Sequence, residues 1–231
     1  MRYLAIASDY DGTLATKGQV SKTTLAALQR LRASGRKLIL VTGRRLDELF
    51  QVLPQVDWFD CVVAENGALI YWPSTRKEQL LGDRPSTAFI QALQDRQVDS
   101  LAVGRVIVAT WKPHEKAVRE IIQDLDLDLQ IILNKEAVMV LPSGLDKATG
   151  LRAALKRMEL ALHQVVGFGD AENDHAFLDI CGVSVAVANA LPNVKERADW
   201  VTQGSRGDGV VEGIDQLLAS DLSEVTKRSR S

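Results

Sequence analysis

The sequence predicts an α/β fold, a Rossmann-like doubly wound parallel sheet with a small α+β unit inserted into it. Short uninterrupted apolar runs at 3–7, 37–41, 59–64 and 165–168 read as strands buried on both faces. Helix-periodic segments separate them at the spacing of right-handed crossover units. Each run also stops in a small polar turn, and in such sheets the ligand crevice lies outside the carboxyl ends of the strands.

The first run leads into Ser8-Asp9-Tyr10-Asp11-Gly12-Thr13-Leu14. Residues two apart on an extended segment point the same way, so Asp9 and Asp11 would repel unless a cation or a shared proton lay between them. Asp, Gly and Thr are also ordinary turn residues, which is the plainer account of the stretch. Ser21 is suited to cap a helix carrying Leu25, Leu28 and Leu31, with Gly35 to stop it. The second run ends in Thr42-Gly43-Arg44, and a helix with Leu46, Leu49, Phe50 and Leu53 on one face ends at Pro54. The third run enters Glu65-Asn66-Gly67-Ala68, where Asn66 and Gly67 read as shaping a turn.

After residue 69 the rhythm changes. Residues 69–72 and the region near Leu80 suggest a hairpin arm leaving the sheet. Ser86 opens a helix with Phe89, Ile90 and Leu93, residues 105–111 read as a strand, and Pro113 opens a helix with Val118, Ile121, Ile122 and Leu125 inward. Strands at 129–133 and 137–141 flank the turn Asn134-Lys135-Glu136. Trp111 reads as a core residue and His114 as a helix-start residue. Alternation then resumes with a helix from Lys147, the strand at 165–168 ending in Gly169-Asp170-Ala171-Glu172-Asn173-Asp174, a helix through Phe177, and a strand at 183–188. A short helix after Pro192, a strand near Trp200 and a closing helix complete it. The expected organisation is a core of 1–80 and 143–219, an inserted unit of 81–142, and a polar tail of 220–231 whose residues 227–230 read as a solvated, mobile end.

Composition narrows the partners. With 28 Lys and Arg against 30 Asp and Glu, the net charge of −2 leaves no electrostatic footprint for nucleic acid. The two cysteines, Cys61 and Cys181, lie in or beside apolar segments, so a reducing cytoplasm fits better than a disulfide framework. The amino terminus reaches Asp9 too soon for a leader or a membrane span, so a soluble protein with no membrane partner is expected. Gly167-Phe168-Gly169 begins like a dinucleotide fingerprint, but Glu172 stands where its third glycine belongs.

The polar turns divide into two chemical jobs. Asp9 and Asp170, with a main-chain carbonyl, offer the hard oxygen ligands of Mg²⁺. Thr42, the amide of Gly43, Lys147 and Asn173 offer donors suited to phosphate oxygens. A metal site beside a phosphate site points to phosphoryl transfer, with Asp9 as a nucleophile forming an aspartyl phosphate and Asp11 moving the proton. Lys147 taken alone would read as a solvated first-turn residue. Arg44 either pairs with a surface acid or reaches toward substrate.

Asp9-Tyr10-Asp11-Gly12-Thr13-Leu14, Thr42-Gly43-Arg44, Lys147 and Gly169-Asp170-Ala171-Glu172-Asn173-Asp174, in this order, resemble the four motifs of the haloacid dehalogenase (HAD) superfamily. Glu65-Asn66-Gly67-Ala68 and the insertion between the second and third motifs resemble the Cof-type phosphatases, which carry a type-two α/β cap. At about seventy residues the insertion is short beside many Cof-type relatives, closer to the archaeal-type phosphoglycolate phosphatases and the sucrose-phosphatase group. The resemblance covers nearly the whole chain apart from the tail. It implies Asp9 as nucleophile, Asp11 as general acid and base, and Thr42 and Lys147 as phosphate binders, with Asn173 near phosphate. Asp9, the main-chain carbonyl of Asp11, and Asp170 would hold Mg²⁺, with Asp174 in or beside its outer shell.

The expected activity is thus hydrolysis of a small phosphorylated metabolite. Phosphoglycolate, a sugar phosphate, sucrose phosphate and a nucleotide all fit the motifs, and no oligomeric state follows from them. A sugar phosphomutase on the same scaffold is the nearest rival. A receiver-like signalling module also phosphorylates an aspartate, but such modules take phosphate at the third strand and have no inserted unit.

Overall fold

In the run 37–41, Leu38 and Leu40 join one buried cluster while Ile39 and Val41 join another, so the strand has to be covered on both faces. The same division holds at the first strand, with Ile6 on one side and Ala5 and Ala7 on the other. Fully burying each leucine, isoleucine or valine among them contributes about 1.5–3 kcal/mol, which makes these two apolar layers the main support of the fold.

The computed structural model describes residues 1–228. It opens with β1 (Ala5–Ser8), a small flap of β2 (Ala15–Thr16) and β3 (Gln19–Val20), α1 (Lys22–Ala33), β4 (Lys37–Val41), α2 (Leu46–Val52) and β5 (Cys61–Ala64). The antiparallel pair β6 (Leu69–Trp72) and β7 (Lys77–Leu80) follows, then α3 (Thr87–Asp95), β8 (Ala102–Val103), β9 (Val108–Trp111), α4 (Glu115–Asp124), β10 (Leu129–Asn134) and β11 (Ala137–Pro142). The chain closes with α5 (Lys147–Arg157), β12 (Val165–Gly169), α6 (His175–Ile180), β13 (Val183–Ala186), α7 (Pro192–Arg197), β14 (Trp200–Val201) and α8 (Gly207–Ser220).

The main sheet runs β14-β13-β12-β1-β4-β5-β6-β7, parallel from β14 to β5. Leu28, Leu31, Leu46, Leu49, Ile214 and Leu217 from α1, α2 and α8 cover one face. Leu151, Leu155, Phe177, Leu178 and Val194 from α5, α6 and α7 cover the other. The chain builds outward from β1 to β4 and β5 and later returns to β12 on the opposite side. β1 is therefore the topological switch point.

A second, antiparallel sheet, β10-β11-β9-β8, packs Val108 and Val140 against Phe89 and Leu93 of α3 and Val118 and Ile121 of α4. Several expectations need correction here. β6 and β7 do not leave the sheet but extend it, because Val62 to Ala64 pair with Leu69 to Tyr71. The strand expected over 105–111 starts only at Val108, since the amides of Arg105, Val106 and Ile107 are taken by the Glu65 carboxylate. The turn between β10 and β11 is Lys135-Glu136 alone, with Asn134 pairing with Ala137. Trp111 is 52% exposed rather than core, and Leu125, expected inward, is exposed where α4 ends. In the stretch read as a polar tail, Leu222 is buried in the core and the Arg228 amide donates to Asp199. Residues 229–231 of the end expected to be mobile lie outside the described residues.

Candidate active site

Three neighbouring strands end at one rim: β12 before Asp170, β1 before Asp9 and β4 before Thr42. The Asp9 amide still donates to the Phe168 carbonyl at 2.9 Å, so the two acidic turns start in register. Lys147 arrives from the far end of the inserted segment as the first residue of α5. Its helix is capped by Asp146, whose carboxylate accepts from the Thr149 amide at 2.7 Å while Thr149 Oγ1 accepts from the Asp146 amide at 2.8 Å. This cap fixes the angle at which the helix begins and so carries Lys147 inward. Gly67 (φ +105°) makes the approach possible, because a Cβ there would come within 1.8 Å of the Asp146 carbonyl oxygen.

Lys147, 1% exposed, donates to Asp9 Oδ1 and to Asp174 Oδ1, both at 2.6 Å. The other oxygen of Asp174 accepts from the amides of Asp170 and Ala171 at 2.8 and 2.9 Å. Thr13 Oγ1 donates to Asp170 Oδ1 at 3.0 Å. Carboxylate oxygens of Asp9, Asp170 and Asp174 lie within 4.8 Å of one another, all three buried. Burial above all, and then the neighbouring Asp174 charge, push the Asp9 carboxyl well above the usual carboxylate range; the same two causes raise Asp170. Burial works against the charge of Lys147, but Asp174 and Asp9 outweigh it and keep the ammonium protonated.

Three buried carboxylates meet one buried ammonium, Lys147, and one half-exposed one, Lys135, which leaves an excess of negative charge of the kind an oxygen-ligated divalent cation offsets. The donor set therefore fits such an ion. Gly12 (φ +92°) belongs to this fit, since a Cβ there would meet Asp170 Oδ2 at 2.5 Å.

The donor side of the crevice is built next to it. Thr42 is buried, and its Oγ1 accepts from the Arg44 amide at 3.1 Å. A Cβ on Gly43 would stand 3.8 Å from Asn173 Nδ2 and 4.0 Å from Asn66 Oδ1, which gather these three residues at one place. Asn173 Nδ2 donates to Asn66 Oδ1 at 2.8 Å, while Asn66 Nδ2 and Asn173 Oδ1 are buried without partners. Unpaired buried amide atoms are uncommon; of these two, Asn66 Nδ2 is a donor that an oxyanion could accept from, whereas Asn173 Oδ1 can only accept.

Asp9, Lys147, Asp170 and Asp174 thus come together, with Thr42, Gly43 and Asn173 beside them. The Asp11 side chain stands apart from the acidic cluster, at the rim, held by Arg44 through Nε at 2.5 Å and Nη2 at 2.8 Å. Of the two roles open to Arg44 the structure shows the ion pair with an acid, and that acid is Asp11.

Three further residues gain a place that sequence reasoning missed. Glu65, fully buried with φ +51°, accepts from the amides of Arg105, Val106 and Ile107 at 2.8, 2.8 and 3.0 Å, tying the main sheet to the insertion. A charged residue directly after a wholly apolar strand was a signal available for it. Thr13 needed only to be read as a hydroxyl beside its acidic neighbours. Lys135 reaches Asp170 Oδ2 at 3.1 Å from the β10–β11 turn, and nothing in an ordinary hairpin turn would have marked it.

A family model described as haloacid dehalogenase-like hydrolase matches residues 6–105 and 94–214. A phosphoglycolate phosphatase 2 of Saccharolobus solfataricus is 31% identical over 231 residues, covering 96% of this chain and 95% of its own. A phosphoglycolate phosphatase of Methanothermobacter thermautotrophicus is 30% identical over 222 residues, 93% of this chain and 98% of its own. Among solved structures, a haloacid dehalogenase-like hydrolase from Bacteroides thetaiotaomicron superposes with a TM-score of 0.81 at 20% identity, covering 94% of this chain and all of that one. A HAD subclass IIB sugar phosphatase superposes at 0.74 with 18% identity, covering 92% and 98%. With its motifs, its sheet order and these relatives in agreement, the chain belongs to the haloacid dehalogenase-like hydrolases and, within them, to the Cof-type phosphatases.

Proposed function

We propose that this phosphatase is a Mg²⁺-dependent hydrolase of phosphoglycolate working through a phosphorylated Asp9, with residues 81–142 serving as a cap over the crevice. The observation that carries the reading is the buried group of Asp9, Asp170 and Asp174 around Lys147, beside the donors of Thr42 and Gly43. The substrate assignment is supported by the names of the relatives that match almost end to end.

Asp9, Asp170 and the main-chain carbonyl of Asp11 would hold Mg²⁺, with Asp174 beside them; the ion, when bound, supplies charge that offsets the phosphate oxygens. An oxygen of Asp9 attacks phosphorus, the ester P–O bond breaks, and the leaving alkoxide takes a proton from the Asp11 carboxyl. Asp11 then accepts a proton from the water that attacks phosphorus, and the bond to Asp9 breaks to release inorganic phosphate. The Thr42 hydroxyl, the Gly43 amide and Asn173 orient the phosphoryl oxygens. Lys147 offsets charge next to the nucleophile, and Arg44 aims the Asp11 carboxylate. Asp146 and Gly67 keep Lys147 at its depth.

The test is phosphate release from phosphoglycolate with Mg²⁺, compared with EDTA and with Asp9→Asn, together with acid-quenched mass spectrometry of the peptide carrying Asp9. Turnover should fall by about a thousandfold or more in the variant. A phosphoryl mass on the wild-type peptide alone supports the nucleophile assignment, and full turnover by Asp9→Asn refutes it.

A further inference from the structure

Lys147 is held between Asp9 and Asp174, and Arg44 is clamped by Asp11, so two of the cations at the crevice already have fixed work. Lys135 differs from both. It comes from the smaller sheet, in a two-residue turn with φ +55°, and its side chain is 53% exposed. Among the described residues its one ion pair is with Asp170, whose carboxylate is 3% exposed and belongs to the acidic cluster. The turn therefore overhangs the crevice. Met139, paired with Ile132 across the same hairpin, lies over the donor side, where its sulfur would be 3.4 Å from a Cβ on Gly43.

An ammonium and a divalent cation compete for the same Asp170 oxygen, and the ion has the stronger claim because Asp9 and Asp174 lie within reach of it as well. Once displaced, the Lys135 ammonium stays tethered over the crevice on a four-carbon stem that can swing. The phosphoryl end of a substrate would face Asp9 and Thr42 on the floor. Its organic end would then point up toward the turn.

We propose that Lys135 is a specificity-determining residue: it moves from Asp170 to the carboxylate at the non-reacting end of a short phosphorylated acid. The idea rests on the phosphatase reading above and adds to it a residue that tells a charged substrate tail from a neutral one. No bond is made or broken in this exchange; one ion pair replaces another.

The experiment compares kcat/KM for phosphoglycolate and for 2-hydroxyethyl phosphate, which has the same length without the charge, in wild type, Lys135→Gln and Lys135→Arg. The preference for the acid should fall by about thirtyfold in Lys135→Gln and stay within about fivefold of wild type in Lys135→Arg. A calorimetric Mg²⁺ titration without substrate gives a second readout: Lys135→Gln should bind the ion about fivefold more tightly, because the competing ammonium is gone. Unchanged preference, or unchanged Mg²⁺ affinity, overturns the role of Lys135 while leaving the phosphatase reading intact. Wild-type inactivity on both esters overturns the reading itself and the carboxylate role with it.

Discussion

Lys147 Nζ and Asp9 Oδ1 stand 2.6 Å apart although 138 residues separate them in the chain, and the second carboxylate on that ammonium, Asp174, is fully buried. Removing the ammonium would leave uncompensated charge in the interior. Lys147→Met should therefore destabilise the protein by about 3–5 kcal/mol in urea unfolding, with Lys147→Met/Asp174→Asn recovering part of the loss. A single variant as stable as wild type would show that the charges are not coupled.

Asp9 supplies a pH-dependent counterpart. Burial and the Asp174 charge raise its folded pKa above the unfolded value, so the folded protein binds that proton more tightly and loses stability as pH rises through the folded pKa. In EDTA, Asp9→Asn should melt higher than wild type at neutral pH, and the gap should close as acid protonates the wild-type residue. A constant gap across the titration would contradict this sign.

Glu65 holds three amides of the insertion with one carboxylate. Glu65→Gln should cost about 1.5–3 kcal/mol through loss of the charged acceptor, and Glu65→Ala more, since it leaves buried N–H groups unpaired. Hydrogen exchange is the direct check: protection at Arg105, Val106 and Ile107 should drop in both variants ahead of the rest of the chain.

At Gly12 a methyl group would enter the space of Asp170. Gly12→Ala should destabilise by about 1 kcal/mol or more, from the positive φ and the clash together. It should also raise the Mg²⁺ concentration needed for half-maximal turnover, whereas a shift in stability with no change in metal dependence would separate Gly12 from the ion site.

Much of this protein was already written in its residue order. Local apolar runs such as 37–41, the helix signals at Ser21 and Ser86, and the polar turns at Asp9, Thr42 and Asp170 carry the α/β alternation, because strand burial and turn chemistry act over a few residues at a time. The four ordered motifs likewise named the family, and they contain Asp9, Lys147, Asp170 and Asp174, which the fold brings together. Tertiary structure alone decided which of those charges neutralise one another: Asp11 went to Arg44 rather than to the cluster, Glu65 to the amides of the insertion, and Lys135 to Asp170. Ion pairing and amide capture depend on which groups are buried together, and two segments that meet only after the sheet has closed leave no mark of their meeting in either segment's own composition.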